Sequence, residues 1–317
     1  MESLNLHGWL PISVWQENAQ WRVDWCWFGA QRLVQPFFRD AVDDALRLPF
    51  NQAFRRETPL SALSDWQRQS PGIAPSAFVY HASRCGSTLI SQMLAQLDSH
   101  VVISEPPALD TLLRIDLPEV ERRAAIEGLL SAYGQVRAGT ERALVIKLDA
   151  WNIFDRPLLR EYFPQVPWMY LYRDPLEIAV SHLRRAGMQM IPGMLGLARL
   201  EGGQPFNGRE DDIARRLGEL LKGGLEHCRA EEALAVNYIE LPGVMSGSLA
   251  RFFGLSAEEV ALAMSATSQH AKSPAQRFVP DSQGKHLEAT PLLLERIAYW
   301  ASEPYQALEA WRAGQVL

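Results

Sequence analysis

The sequence predicts an α/β chain: a three-layer α/β/α arrangement around a parallel sheet, with an aromatic-rich N-terminal extension. Three observations carry that expectation. From about residue 76 onward, short apolar runs alternate with amphipathic stretches of helical period, the pattern of parallel βαβ units with helices on both faces. The first of those runs ends in HASRCGST, a Gly-Ser-Thr turn that enters a helix directly. Before residue 70 the texture differs: Trp21, Val23, Trp25 and Trp27 fall on one face of WQENAQWRVDWCWFG, the period-2 signature of a half-buried strand.

Taken in order, the tryptophan strand is followed by Gly29, which suggests a hairpin edge there. FRDAVDDALRL reads as a short helix, and RQSPGIAPS, with two prolines and a glycine, marks a boundary near 69–76. The expected division is an extension over 1–72 and a main domain over 73–317. In the main domain AFVYHA, VVIS, ALVIKL, WMYLYR and LAVNYI read as strands. Helices are expected over 87–98, 118–138, 152–163, 175–188 and 209–232, and again over 243–253, 256–268 and 290–312. There is no internal repeat and no low-complexity tract.

Composition narrows the function classes. With 317 residues, 47% hydrophobic and 21% charged, the chain has an ordinary globular make-up and can bury a sizeable core. A net charge of −6 speaks against a broad nucleic-acid surface. Three cysteines with no CxxC pair argue against a disulfide framework or a zinc site, and the histidines show no HxxxH or HExxH spacing, so no metal is expected. The opening MESLNLHGWL lacks a basic and an apolar leader region, and no apolar run approaches the ~18 residues of a membrane span. A cytoplasmic protein without a membrane span is expected.

Ligands of parallel sheets bind at the carboxyl ends of the strands, and the residues there carry anion chemistry. In HASRCGST, His81 stands where a P-loop has its first glycine and Ser87 where it has its lysine. Gly86 still permits close backbone approach, the amides of 85–89 lie beside a helix N-terminus, and Arg84, Ser87 and Thr88 add donors. The plainer reading is a tight turn with a helix cap, but a cap does not call for an arginine beside Gly-Ser-Thr. In YRDPLEIAVSHLRR, Pro175 suits the first turn of a helix and Asp174 its cap. Arg173 then stands at a strand tip with Ser181 two turns into the helix, a pair able to grip a second phosphate. Taken alone, that pair reads equally well as a surface arginine and a solvent-facing serine.

Together the two segments resemble the sulfotransferase family. SRCGSTL is similar to its loop for the 5′-phosphosulfate of 3′-phosphoadenylyl sulfate (PAPS), and YRDPLEIAVS to its 3′-phosphate element. VNYIEL resembles a late strand of that family, and the resemblance spans about 76–300. It implies a P-loop-type α/β domain and a metal-free sulfuryl transfer from PAPS to a hydroxyl or amine of a small-molecule or peptide acceptor. It also implies a nucleotide site of Arg84, Cys85, Gly86, Ser87, Thr88, Leu89, Arg173 and Ser181, although Cys85 departs from the small polar residue usual there. Tyrosylprotein sulfotransferases have a catalytic glutamate where this chain has Glu105, and the family has a lysine near the transferred group where it has Lys147. The implied catalytic set is therefore Glu105, Lys147 and Arg84. Glu105 reads otherwise as a helix-end carboxylate and Lys147 as a lysine snorkelling from a strand end. The segment 270–286 sits where the family has a late loop over the nucleotide, offering Lys285 and Ser282, though a solvated loop fits as well. A kinase-like phosphotransferase is disfavoured by the missing lysine and the lack of a clear Mg²⁺-binding aspartate; a non-catalytic nucleotide-binding module stays open. The tryptophan stripe reads as packing first, and as an acceptor or homodimer contact second.

Overall fold

The computed structural model describes residues 5–201, 208–265 and 282–315, together with the backbone of 269–270 and 273–277. A five-stranded sheet runs through its middle, built from β4 (Pro75–His81), β5 (His100–Ser104), β6 (Ala143–Lys147), β7 (Trp168–Tyr172) and β8 (Leu234–Asn237). Their spatial order is β5-β6-β4-β7-β8, and every neighbouring pair is parallel. All five predicted strands are present.

Period-2 alternation sorts the strand side chains into two cores, one on each face of the sheet. On one face Ala77, Val79, Val102, Val145, Met169 and Leu171 pack against α4 (Ser87–Leu94), α11 (Ser248–Phe253) and α12 (Ala257–Met264). The alternate residues, among them Phe78, Tyr80, Ile103, Ile146 and Tyr170, face the larger core. That core is filled by α5 (Pro107–Arg114), α6 (Glu119–Tyr133), α7 (Arg156–Tyr162), α8 (Pro175–Arg184) and α10 (Arg209–Glu231), with α14 (Pro291–Trp300) and α15 (Ser302–Ala313). On α10 a Cβ at Gly224 would meet the Tyr170 ring at 2.2 Å, so this helix lies against the sheet only because that position is bare. Short helices α9 (Ala198–Glu201) and α13 (Ser282–Glu288) and a small pair, β9 (Gln269–His270) with β10 (Ser273–Arg277), complete this part.

The N-terminal part differs from expectation in its hairpin. The tryptophan strand is β2 (Gln20–Trp27), and its partner β1 (Trp9–Glu17) precedes it; β3 (Arg56–Pro59) pairs on the other side. The turn lies at Asn18–Ala19, both at positive φ (48° and 62°), as a tight hairpin requires, while Gly29 merely follows the strand. Trp9 and Trp25 are buried in the same cluster as the main sheet's larger face, as are residues of α1 (Phe38–Leu46) and α3 (Ala62–Gln69); α2 (Pro49–Ala53) lies between those helices in the chain.

Several helix ends also move. The expected 290–312 helix is two, divided at Ala301, because Pro304 can stand only in the first turn of a new helix. The 118–138 and 175–188 helices stop at Tyr133 and Arg184, ahead of Gly134 and Gly187. The 87–98 helix ends at Leu94, and the 243–253 helix opens with a 3₁₀ turn before α11. Of the expected 256–268 helix, 266–268 lie outside the described residues.

Candidate active site

The residues singled out in the sequence gather at the carboxyl edge of the sheet, where strand order reverses about β4. The loop from β4 to α4 holds Ser83, Arg84 and Gly86 at φ of 68°, 49° and 88°. Two successive non-glycine residues in the left-handed region cost roughly 1–3 kcal/mol each, so the surroundings must over-determine them. They do. The Ser83 amide donates to His81 Nδ1 (3.0 Å), Gln189 Nε2 donates to Ser83 Oγ (2.6 Å), and His182 Nε2 lies 3.1 Å from the same oxygen. Arg84 donates to the Arg185 carbonyl at 2.9 Å. Gly86 is required twice: its φ is left-handed, and a Cβ there would fall 2.7 Å from the Tyr238 ring.

The loop leaves donors at the first turn of α4. The Gly86 carbonyl accepts the amides of Leu89 (2.9 Å) and Ile90 (3.3 Å), so those two are satisfied within the chain. The amides of Ser87 and Thr88 precede them, where an α-helix has no internal acceptor. Leu89 therefore offers packing rather than a donor. Cys85 turns inward: its thiol donates to the Leu171 carbonyl at 3.2 Å, and burial pushes it up to about 12. Only the main chain of Cys85 is available to an anion.

At the tips of β5 and β6, Lys147 and Glu105 form an ion pair, with the Lys147 ammonium 5.0 Å from the Phe37 ring centroid. Lys147 is fully buried, and Glu105 keeps 23% of its side chain accessible. Glu105 stands at φ 54°, its amide donating to the Lys147 carbonyl (2.7 Å), and His81 Nε2 lies 3.4 Å from its carboxylate. Burial works against the charged form of Glu105. The Lys147 charge and His81 outweigh it and hold the carboxyl well below the usual range. Asp149, just beyond, moves the opposite way: burial and the charges of Glu105 and Asp110 raise it well above an ordinary aspartate.

The second segment folds as its residues predict. Asp174 caps α8, accepting the amides of Leu176 (2.8 Å) and Glu177 (3.2 Å), and Pro175 opens the helix. Arg173 is buried at the tip of β7, its guanidinium 4.0 Å from the Tyr238 ring centroid. Ser181 donates to the Glu177 carbonyl at 2.8 Å. Sequence reasoning missed Glu177, whose carboxylate accepts from Arg173 Nε (2.6 Å) and Ser282 Oγ (3.1 Å). Its place in the first turn of α8, four residues after the strand-tip Arg173, was the available signal. Lys285 is buried on α13, which packs on α8 and whose Ser282 also accepts from Arg173 at 3.2 Å. Of the late segment 270–286, residues 271–272 and 278–281 lie outside the described residues. Among the described residues, no cluster of three or more His, Cys, Asp or Glu is disposed to hold a metal ion, and no helix is long and apolar enough to cross a membrane.

No protein-family model and no curated protein matches the chain. Solved structures similar to the chain include several sulfotransferases. The chain is similar to the sulfotransferase from Alicyclobacillus acidocaldarius, with 18% identity and a TM-score of 0.46 over 76% of this chain and 97% of that one. It is similar to the sulfotransferase domain of the curacin biosynthetic pathway at 16% identity and 0.42, over 75% and 98%. Mouse sulfotransferase SULT7A1, solved with PAP, follows at 14% and 0.40, over 79% and 91%.

Proposed function

We propose that this chain transfers a sulfuryl group from PAPS to a hydroxyl or amine of a small-molecule or peptide acceptor, with Glu105 as the base. The observation that carries the reading is a convergence at one sheet edge. A lysine-free anion loop after β4, the Arg173–Ser181 element after the adjacent β7, and a Glu105–Lys147 pair at the tips of β5 and β6 all meet there. The residues fit a doubly anionic nucleotide. Ser87 and Thr88 amides with Arg84 would take the 5′-phosphosulfate, and Arg173, Ser181 and Lys285 the 3′-phosphate. Tyr238, between Gly86 and Arg173, supports the wall joining the two. When bound, PAPS supplies the sulfuryl group, which needs less countercharge than the phosphoryl group of ATP and no metal.

In this reading Glu105 takes the acceptor's proton as the acceptor oxygen or nitrogen bonds to sulfur. The bond from sulfur to the 5′-phosphate oxygen breaks, and adenosine 3′,5′-bisphosphate leaves. Lys147 and Arg84 stabilise the charge that develops on the bridging and sulfuryl oxygens. Calorimetry with adenosine 3′,5′-bisphosphate and with ADP–Mg²⁺ tests the assignment. The bisphosphate should bind tightly, Arg173→Ala should weaken it strongly and Ser181→Ala mildly; equal affinity for ADP would overturn it. Turnover of labelled PAPS with an acceptor library then separates an enzyme from a nucleotide-binding module.

A further inference from the structure

His81 and His182 flank the anion loop, and the backbone fixes the tautomer of each. A main-chain N–H can only donate, so the ring nitrogen facing it must be the bare acceptor. The Ser83 amide meets His81 Nδ1 (3.0 Å), and the Gly187 amide meets His182 Nδ1 (3.1 Å). Both rings therefore carry their proton on Nε2. For His182 that proton points at Ser83 Oγ (3.1 Å), and for His81 the protonated Nε2 lies 3.4 Å from Glu105 Oε1, a close approach without a formed hydrogen bond. With Nδ1 accepting from a backbone amide and the proton on Nε2, neither histidine is placed to act as a base.

We propose that His81 is a positioning residue that couples the two halves of the site, its Nδ1 holding the left-handed Ser83 bend of the anion loop and its Nε2–H edge lying against the Glu105 carboxylate, 3.4 Å away. The inference rests on the sulfuryl-transfer reading for what the halves do. Nucleotide binding depends on the loop keeping Ser83 and Arg84 at positive φ. Acceptor activation depends on Glu105, which stands at positive φ itself. His81 sits at the end of β4, is 5% exposed, and contacts both. The groups facing Glu105 from all sides are Lys147 at the end of β6, Asp149 beyond it, His81 on β4 and Arg84 in the loop.

Two half-substitutions divide the roles. In His81→Asn the amide oxygen falls near the place of Nδ1 and can still accept from the Ser83 amide, as in an Asx turn, but nothing reaches Glu105. In His81→Gln the amide nitrogen falls near the place of Nε2 and can still donate to Glu105, but the Ser83 amide loses its acceptor. Affinity for adenosine 3′,5′-bisphosphate, measured by calorimetry, reads the loop. The titration of the Glu105 carboxyl carbon, followed by ¹³C NMR in the nucleotide-free protein, reads the base.

The expected result is a split. His81→Asn keeps the bisphosphate affinity within about threefold while the Glu105 midpoint moves up; His81→Gln leaves the midpoint in place while affinity falls about tenfold, the loss of one net hydrogen bond. His81→Ala shows both effects, and thermal melts establish that each variant is folded. Equal effects of Asn and Gln on both readouts, or an unmoved Glu105 midpoint in His81→Ala, would overturn the coupling. Absence of bisphosphate binding in the unmodified protein would instead refute the sulfuryl reading, and the coupling's function with it; the NMR arm still reports the His81–Glu105 contact.

Discussion

Glu105→Gln removes a carboxylate that the structure gives two jobs, so its consequences must be separated. Lys147 is fully buried and its ammonium is paired with Glu105. Breaking a buried pair by deleting one partner costs about 3–5 kcal/mol. The glutamine oxygen remains a neutral acceptor for the ammonium, and a charge-assisted hydrogen bond is worth about 1.5–3 kcal/mol. The substitution should thus destabilise the fold by about 2 kcal/mol at neutral pH, the difference between the midpoints of those two ranges. Losing the base should separately lower turnover by about 10²-fold or more.

The pH dependence distinguishes the two contributions. Glu105 is held below its unfolded value, so its stabilisation is fully present above the unfolded pKa of about 4.3 and is lost as pH falls toward the folded pKa. Wild type and Glu105→Gln should differ in urea unfolding at pH 7 and converge at strongly acid pH. Adding Lys147→Met, which removes the stranded charge, should restore much of the stability but none of the turnover. The assay is urea unfolding of the single and double variants beside turnover with an aliphatic alcohol acceptor. Wild-type turnover in a folded Glu105→Gln would refute the base assignment, and additive stability effects of the two substitutions would refute the pairing argument.

Gly86→Ala should cost at least about 1–2 kcal/mol for a side chain at left-handed φ, and should weaken bisphosphate binding because Tyr238 must shift; calorimetry and melting temperature check both. Asp155 is raised to about 6 by burial, against the Asn152 hydrogen bond. The folded state therefore holds a proton that the unfolded chain releases near pH 4, so stability is lost as pH rises from about 4 to about 6. Asp155→Asn should be up to about 2 kcal/mol more stable than wild type at pH 7 and no more stable at pH 4, by denaturant unfolding. Burial raises Cys26 to about 11, Cys85 to about 12, and Cys228 further. The native protein should resist iodoacetamide at pH 8, and all three thiols should react in urea, counted by mass spectrometry.

What the sequence determined is what local periodicity and turn chemistry control. Short continuous apolar runs place all five strands of the main sheet, since burial on both faces demands them. Gly86 before Ser-Thr marks the loop-to-helix junction, and Asp174-Pro175 marks the start of α8, because each end needs those backbone and capping properties. β1 was less legible: its run contains Pro11 and has no turn glycine beside it, the hairpin being made by Asn18 and Ala19 at positive φ. Only the tertiary structure decided which side chains of the site meet. Strand order sets β4 between β6 and β7, which brings loops distant in the chain to one edge. The left-handed bend at Ser83 and Arg84 interrupts the strand's alternation, so direction beyond it cannot be extrapolated; Cys85 faces the core although its neighbours bear on the site. Glu177 against Arg173, and His81 between Ser83 and Glu105, depend on helix and strand ends held in place by the two cores. Such contacts are fixed by packing over long sequence separations, and no local pattern encodes them.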